Sequence, residues 1–142
     1  MKAKLINDEP VTYVAIFETG EDVMEGLERL AQELELGATQ LTGIGAFSDA
    51  ILGYFNFENR DYKKISVTEQ VEVLSLIGNV TWNEGKRQVH AHVILGRSDA
   101  TTLGGHLISA TVRPTLEIIL TESPQHLERK FDPAAGLPLI NL

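Results

Sequence analysis

The chain has 142 residues, no cysteine, and a formal net charge of −8 from 12 basic and 20 acidic side chains. That length suits one domain with its own core. The missing cysteines exclude disulfides, thiolate zinc sites and a cysteine nucleophile. The acidity opposes a polyanionic partner, because duplex DNA binding draws its affinity from Lys and Arg neutralising phosphates.

Hydrophobic residues at 43% and charged residues at 23% are globular proportions and argue against disorder. No apolar run is long enough for a signal peptide or a membrane span. A cytoplasmic protein that does not engage a membrane is therefore expected.

Residues 11–18, Val-Thr-Tyr-Val-Ala-Ile-Phe-Glu, are β-branched and aromatic and predict a strand. Thr19-Gly20-Glu21-Asp22 predicts a helix start, with Thr19 as cap and acidic residues in the first turn. Val23, Leu27, Leu30, Ala31 and Leu34 continue at helical spacing, and Gly37 is the expected stop. This is the one principal helix.

Strand patterns follow over 39–44, 47–57, 62–67 and 71–80. The second and fourth are apolar on both faces, as in strands covered on both sides. Asn83-Glu84-Gly85-Lys86 predicts a hairpin turn, and 88–95 the returning strand. Residues 116–121, just after Arg113-Pro114, predict the last clear strand. The tail, 123–142, carries three prolines, which oppose a regular helix or central strand. It ends in Leu137, Leu139, Ile140 and Leu142, so it is expected to pack on its own or a neighbouring subunit. Short connections imply mostly antiparallel pairing among about seven strands. One helix cannot cover all their apolar faces, so self-association is expected.

Chemistry concentrates in Val89–Leu107. Alternation along 88–95 puts His90 and His92 on one face, about 6.5–7 Å apart at Cα. His106 follows Gly104-Gly105, a pair that permits close backbone approach. Three imidazoles with an open fourth position are the donor set of catalytic zinc. Two histidines hydrogen-bonded in a polar pocket are the alternative.

Glu72 and Glu117 interrupt apolar strands and must be paired or solvated. Glu72 is the candidate for general acid–base help or for orienting a histidine; an ion pair or an exposed interface position is the alternative. Gly43-Ile44-Gly45 lacks the third glycine of a dinucleotide turn and precedes a strand, so a bulge or tight turn is expected there.

Read together, several ordered stretches resemble the PPC domain (plants and prokaryotes conserved), prokaryotic stand-alone type. They are Gly43-Ile44-Gly45-Ala46-Phe47-Ser48-Asp49-Ala50-Ile51-Leu52-Gly53-Tyr54-Phe55, Glu72-Val73-Leu74-Ser75-Leu76-Ile77-Gly78-Asn79-Val80, His90-Ala91-His92, Gly104-Gly105-His106-Leu107 and Thr115-Leu116-Glu117-Ile118, with Phe131-Asp132-Pro133 and Gly136-Leu137-Pro138-Leu139 in the tail.

The resemblance implies an α/β (α+β) fold, a large and mainly antiparallel sheet with one principal helix, and a homotrimer. The family is often labelled DNA-binding. In its plant branch AT-hook motifs contact DNA, while the domain itself oligomerises and binds partners. No Arg-Gly-Arg-Pro occurs in this chain, which places DNA binding in doubt. The histidine triplet belongs to the prokaryotic members. The resemblance thus implies a trimeric binding module for a small-molecule or protein ligand, with zinc or another divalent metal on His90, His92 and His106. A small metal-dependent enzyme, or direct DNA binding by the trimer, is the alternative.

Overall fold

A computed structural model describes residues 1–142. The elements in chain order are β1 (Lys2–Asp8), β2 (Val11–Glu18), α1 (Val23–Glu33), β3 (Ala38–Asn56), β4 (Asp61–Val67), β5 (Val71–Asn83), β6 (Lys86–Gly96), β7 (Thr102–Glu122), β8 (Glu128–Asp132) and β9 (Leu137–Asn141). All strands join one sheet, and every pairing is antiparallel except the short parallel contact of β8 with β5.

Two strands dominate the topology. β3 has 19 residues and β7 has 21. Extended, each would span about 60–70 Å. A compact chain of this length has a radius of gyration of only about 14 Å, so both must bend. Irregularities fall at the bends. The β3–β7 register shifts between Gly45 and Phe47, between Phe47 and Asp49, and between Ile51 and Leu52. Bulges of this kind increase local twist and turn a strand. As a result β3 pairs with β5, β5 with β6, β6 with β7, and β7 again with β3. The pairing circuit closes on itself.

The core fills the concave side. Val89, Ala91, Val93 and Leu95 of β6 face inward, as do Leu107, Ala110, Val112, Leu116, Ile118 and Leu120 of β7. α1 lies against β6 and β7 and buries Val23, Leu27, Leu30 and Ala31, the expected stripe. On the outer face Ile44, Leu74, Ile77, Ile94 and Ile119 are exposed.

Several expectations change. Asp22, not Thr19, caps α1: its carboxylate accepts from the Glu25 N–H at 2.9 Å, while the Thr19 hydroxyl donates to the Pro114 carbonyl across the fold. The helix ends at Glu33, before Gly37, whose N–H is taken by Glu122 Oε1. β1 is an exposed edge strand with no alternating pattern to announce it. The stretches 39–44 and 47–57 form one strand, because the backbone bulges at the glycines rather than turning. Phe47 and Ala50 are both buried despite opposite parity for the same reason.

The last long strand begins at Thr102, not Leu116, and carries Pro114 in the register break opposite Ala46, a position where a proline forfeits no ladder bond. The tail is a β8–β9 hairpin at the sheet edge, with Pro138 on the outermost strand. The chain therefore has nine strands.

Gly78 tests how tightly the ladder is set. A Cβ there would lie 2.3 Å from the His90 carbonyl oxygen and 2.9 Å from Ala91 Cα. Neither backbone atom can retreat without opening the β5–β6 ladder. Gly78→Ala is expected to destabilise the protein by about 1–3 kcal/mol, measured by urea unfolding; an unchanged midpoint would contradict the packing described.

Candidate metal centre

The site is built by strand parity and by register. In β6 the inward set is apolar and buried, so His90 and His92 are turned outward together. β7 then sets His106 directly opposite His92. Gly104 and Gly105 give the close backbone approach expected of them, inside a strand. They lie within β7, and they allow its close approach: a Cβ at Gly104 would meet the Val93 carbonyl oxygen at 2.6 Å, and one at Gly105 would meet that of Gly53 at 2.9 Å.

The three imidazoles converge. Their ring centroids are 5.1–5.4 Å apart, and one nitrogen from each lies within 4.8 Å of the others. His90 Nε2 and His92 Nε2 are 3.2 Å apart. Tetrahedral zinc with bonds of 2.0–2.1 Å separates its nitrogen ligands by about 3.3 Å. The pair already has that spacing, and a His106 nitrogen lies within 4.8 Å of both. Tyr62 stacks on His106 with centroids 4.8 Å apart and fixes that ring from the other side. His106 Nδ1 is buried without a hydrogen-bond partner, an atom whose bonding the protein alone leaves incomplete.

Arg129 was not foreseen. It reaches the site because β8 pairs with the end of β5. Its Nε donates to Thr81 Oγ1 at 2.8 Å, Nη2 to Asn79 Oδ1 at 2.9 Å, and Nη1 to the Pro138 carbonyl at 3.0 Å. Nη2 also lies 3.4 Å from His90 Nδ1. A guanidinium only donates, so this contact favours His90 Nδ1 as acceptor. Nothing local in the tail sequence marks Arg129; its place depends on a pairing nearly fifty residues away in the chain.

Glu72 does not join the histidines within one subunit. It lies five residues from Ile77 along β5, about 16 Å in an extended strand, and Ile77 is the residue paired with His92. Glu72 instead shares an outer groove with Glu117, Ile44 and Leu74.

Burial pushes the His90 pKa down to about 4, reinforced by the positive charge of Arg129 and by the neighbouring His106 and His92. Burial, then His92, also lowers that of His106. Both rings are thus held in the neutral form that ligates metal. Below the ordinary value of 6.5 the unfolded chain takes up a proton that folded His90 refuses. This contribution to stability is complete above pH 6.5 and is lost as pH falls toward 4. In EDTA-treated protein, unfolding stability is expected to decline across that window, and His90→Gln to flatten the decline. Parallel pH profiles for the two proteins in chemical unfolding would contradict this.

The arrangement has relatives. A crystal structure described as a "putative dna binding protein" from Bacteroides thetaiotaomicron matches with a TM-score of 0.93 and 26% identity, covering 99% of this chain and 96% of that one. A metal-containing protein from Archaeoglobus fulgidus matches with a TM-score of 0.85 and 32% identity, covering 99% and 97%. A plant- and prokaryote-conserved (PPC) protein from Pyrococcus horikoshii matches with a TM-score of 0.86 and 29% identity, covering 99% and 95%. No curated protein is significantly similar in sequence. The model of the Plants and Prokaryotes Conserved (PCC) domain matches residues 8–124, which span β2 to β7 and hold all three histidines. With that match, the chain belongs to the PCC domain family.

Proposed function

We propose that this chain is a trimeric binding module of the PCC family whose three histidines hold a divalent metal, zinc in the first instance, with one coordination position left to a ligand. The observation that carries the reading is the convergence of His90, His92 and His106 on one outer face. Three imidazoles without thiolate or carboxylate suit zinc, copper, iron or nickel rather than calcium or magnesium. Three protein ligands, rather than four, are the pattern of zinc sites that keep a position open. The Archaeoglobus relative, described as metal-containing, supports the same reading.

The trimer accounts for the outer face. Ile44, Leu74, Ile77, Ile94 and Ile119 are 41–61% exposed. Cross-strand register places Ile119, Thr42, Ile77 and His92 in one row. Apolar surface of this extent beside a polar site marks an interface. Packing against copies of the same chain would bury it and set the histidines at its margin. A metal-dependent enzyme would need an acid–base group. Glu72 is too distant within a subunit, so help from it would have to come from a neighbour. Direct DNA contact rests on the description of relatives, and the charge of −8 opposes it.

Protein purified without a histidine tag is expected to carry one zinc per chain by elemental analysis, and His92→Ala to lower zinc affinity by about 100-fold or more, since loss of even an outer-shell partner costs 10–100-fold. Metal-free wild type after zinc exposure would refute the reading. Sedimentation is expected to show three chains per particle for the wild type and one for Ile44→Glu. Because Ile44 is exposed, that variant should keep its circular dichroism spectrum. A wild-type monomer at micromolar concentration would remove the trimer.

A further inference from the structure

Beside the histidines lies a cavity of about 180 Å³, lined by Gln88, His90, His106, Arg129, Leu137 and Leu139 among others. Its wall holds polar groups that the protein does not satisfy. Gln88 Oε1 and His106 Nδ1 are the buried side-chain atoms without a hydrogen-bond partner, and both residues line this cavity; turning the Gln88 amide over presents its NH2 to the cavity as a donor for an anion. Arg129 brings a full positive charge at 8% exposure. No carboxylate opposes it: the ion pairs of the chain are Met1 with Glu21, Lys2 with Glu18, and Arg97 with Glu69.

Metal binding makes the mismatch worse. If His90 ligates through Nε2, the nitrogen 3.2 Å from His92, its Nδ1 must carry the proton. That N–H then faces Arg129 Nη2 at 3.4 Å. Two donors meet with no acceptor between them. Metal-bound histidines ordinarily donate this N–H to a carboxylate, a carbonyl or water, and no protein acceptor is bonded to His90 at that atom. The Arg129 charge also repels the metal itself.

We propose that a small carboxylate occupies this cavity together with the metal, accepting from Arg129 and from His90 Nδ1–H, with its short aliphatic part against Leu137 and Leu139. The inference rests on the metal reading above and names the class of ligand that completes it. The cavity is below the roughly 300–1,000 Å³ of ordinary ligand pockets, which selects a short-chain acid and rejects a nucleotide. Metal and carboxylate cancel each other's electrostatic cost. They therefore bind cooperatively, each raising the affinity of the other by the same factor.

The test is zinc affinity, measured by competition with a chromophoric chelator at constant ionic strength in sodium acetate or sodium chloride, corrected for zinc–acetate complexes in solution. Acetate is expected to tighten zinc binding to the wild type by about tenfold, within the usual range of coupling between sites. Arg129→Gln, which retains N–H donors without the charge, is expected to bind zinc at least as tightly as wild type in chloride and to lose the acetate response. An Arg129 that only braces the tail would instead weaken zinc in both salts when replaced, and that result overturns the proposal. Equal wild-type affinity in the two salts also overturns it and leaves the metal site standing. Absence of zinc binding in either salt overturns the metal reading, and this inference with it. Should Arg129→Gln fail to fold, as read by circular dichroism, the wild-type comparison decides alone.

Discussion

Backbone pairing between β3 and β7 is the constraint on which the rest of this structure depends. Both strands are longer than the molecule is wide, so they must bend, and they bend together because they are bonded along most of their length. The bends bring the first half of β7 beside β6 while its second half lies between β2 and β3. Without that closure His106 would be far from β6. With it, His106 is held opposite His92 by ladder hydrogen bonds rather than by a flexible loop. Sites on regular elements hold their geometry better than sites on loops, and here the strands do the positioning.

The electrostatics of the site are unusual for a cation-binding centre. No acidic side chain is bonded to any of the three histidines, and the nearest charged partner is a cation that donates toward His90. Burial lowers the pKa of His90 and His106, and that cation adds to the effect at His90, which favours the neutral form that ligates. The same cation raises the cost of the metal's charge. An arrangement with both properties is poised for a metal accompanied by an anion. Arg129 is also tied to Thr81, Asn79 and the β9 carbonyl, so the tail hairpin and the site share one hydrogen-bond network. Disturbing the hairpin disturbs the site.

The sequence revealed what is local and hid what is not. Strand parity made His90 and His92 neighbours, and the apolar set Val89, Ala91, Val93 and Leu95 announced the buried face correctly. The α1 stripe was legible for the same reason, since helical spacing is read within a few residues. His106 was identified by residue type and by resemblance, and Gly104-Gly105 announced a close approach, but which strand is approached depends on the pairing of β7 with β6 and β3. The bulges in β3 shift parity without any marker stronger than glycine, so one strand read as two. β7 was truncated because Pro114 normally ends a strand; it survives only in a register break that the other strand creates. Arg129 was invisible, since a lone arginine in a polar hairpin reads as solvated until β8 is docked on β5.

The outer face joins these threads. Ile77 is paired with His92, and Ile94 is two residues further along β6 on the same side. The histidine cluster and the uncovered apolar surface are therefore continuous. In the proposed trimer the boundary of the interface would run along the histidines, and access to the open coordination position would be shaped by a neighbouring chain. The groups that a single chain leaves remote, Glu72 above all, lie on that same outer side. Assembly and ligand binding would then be coupled through contact rather than through any change of fold: a substitution that opens the interface would alter the site's surroundings while leaving the three ligands in register.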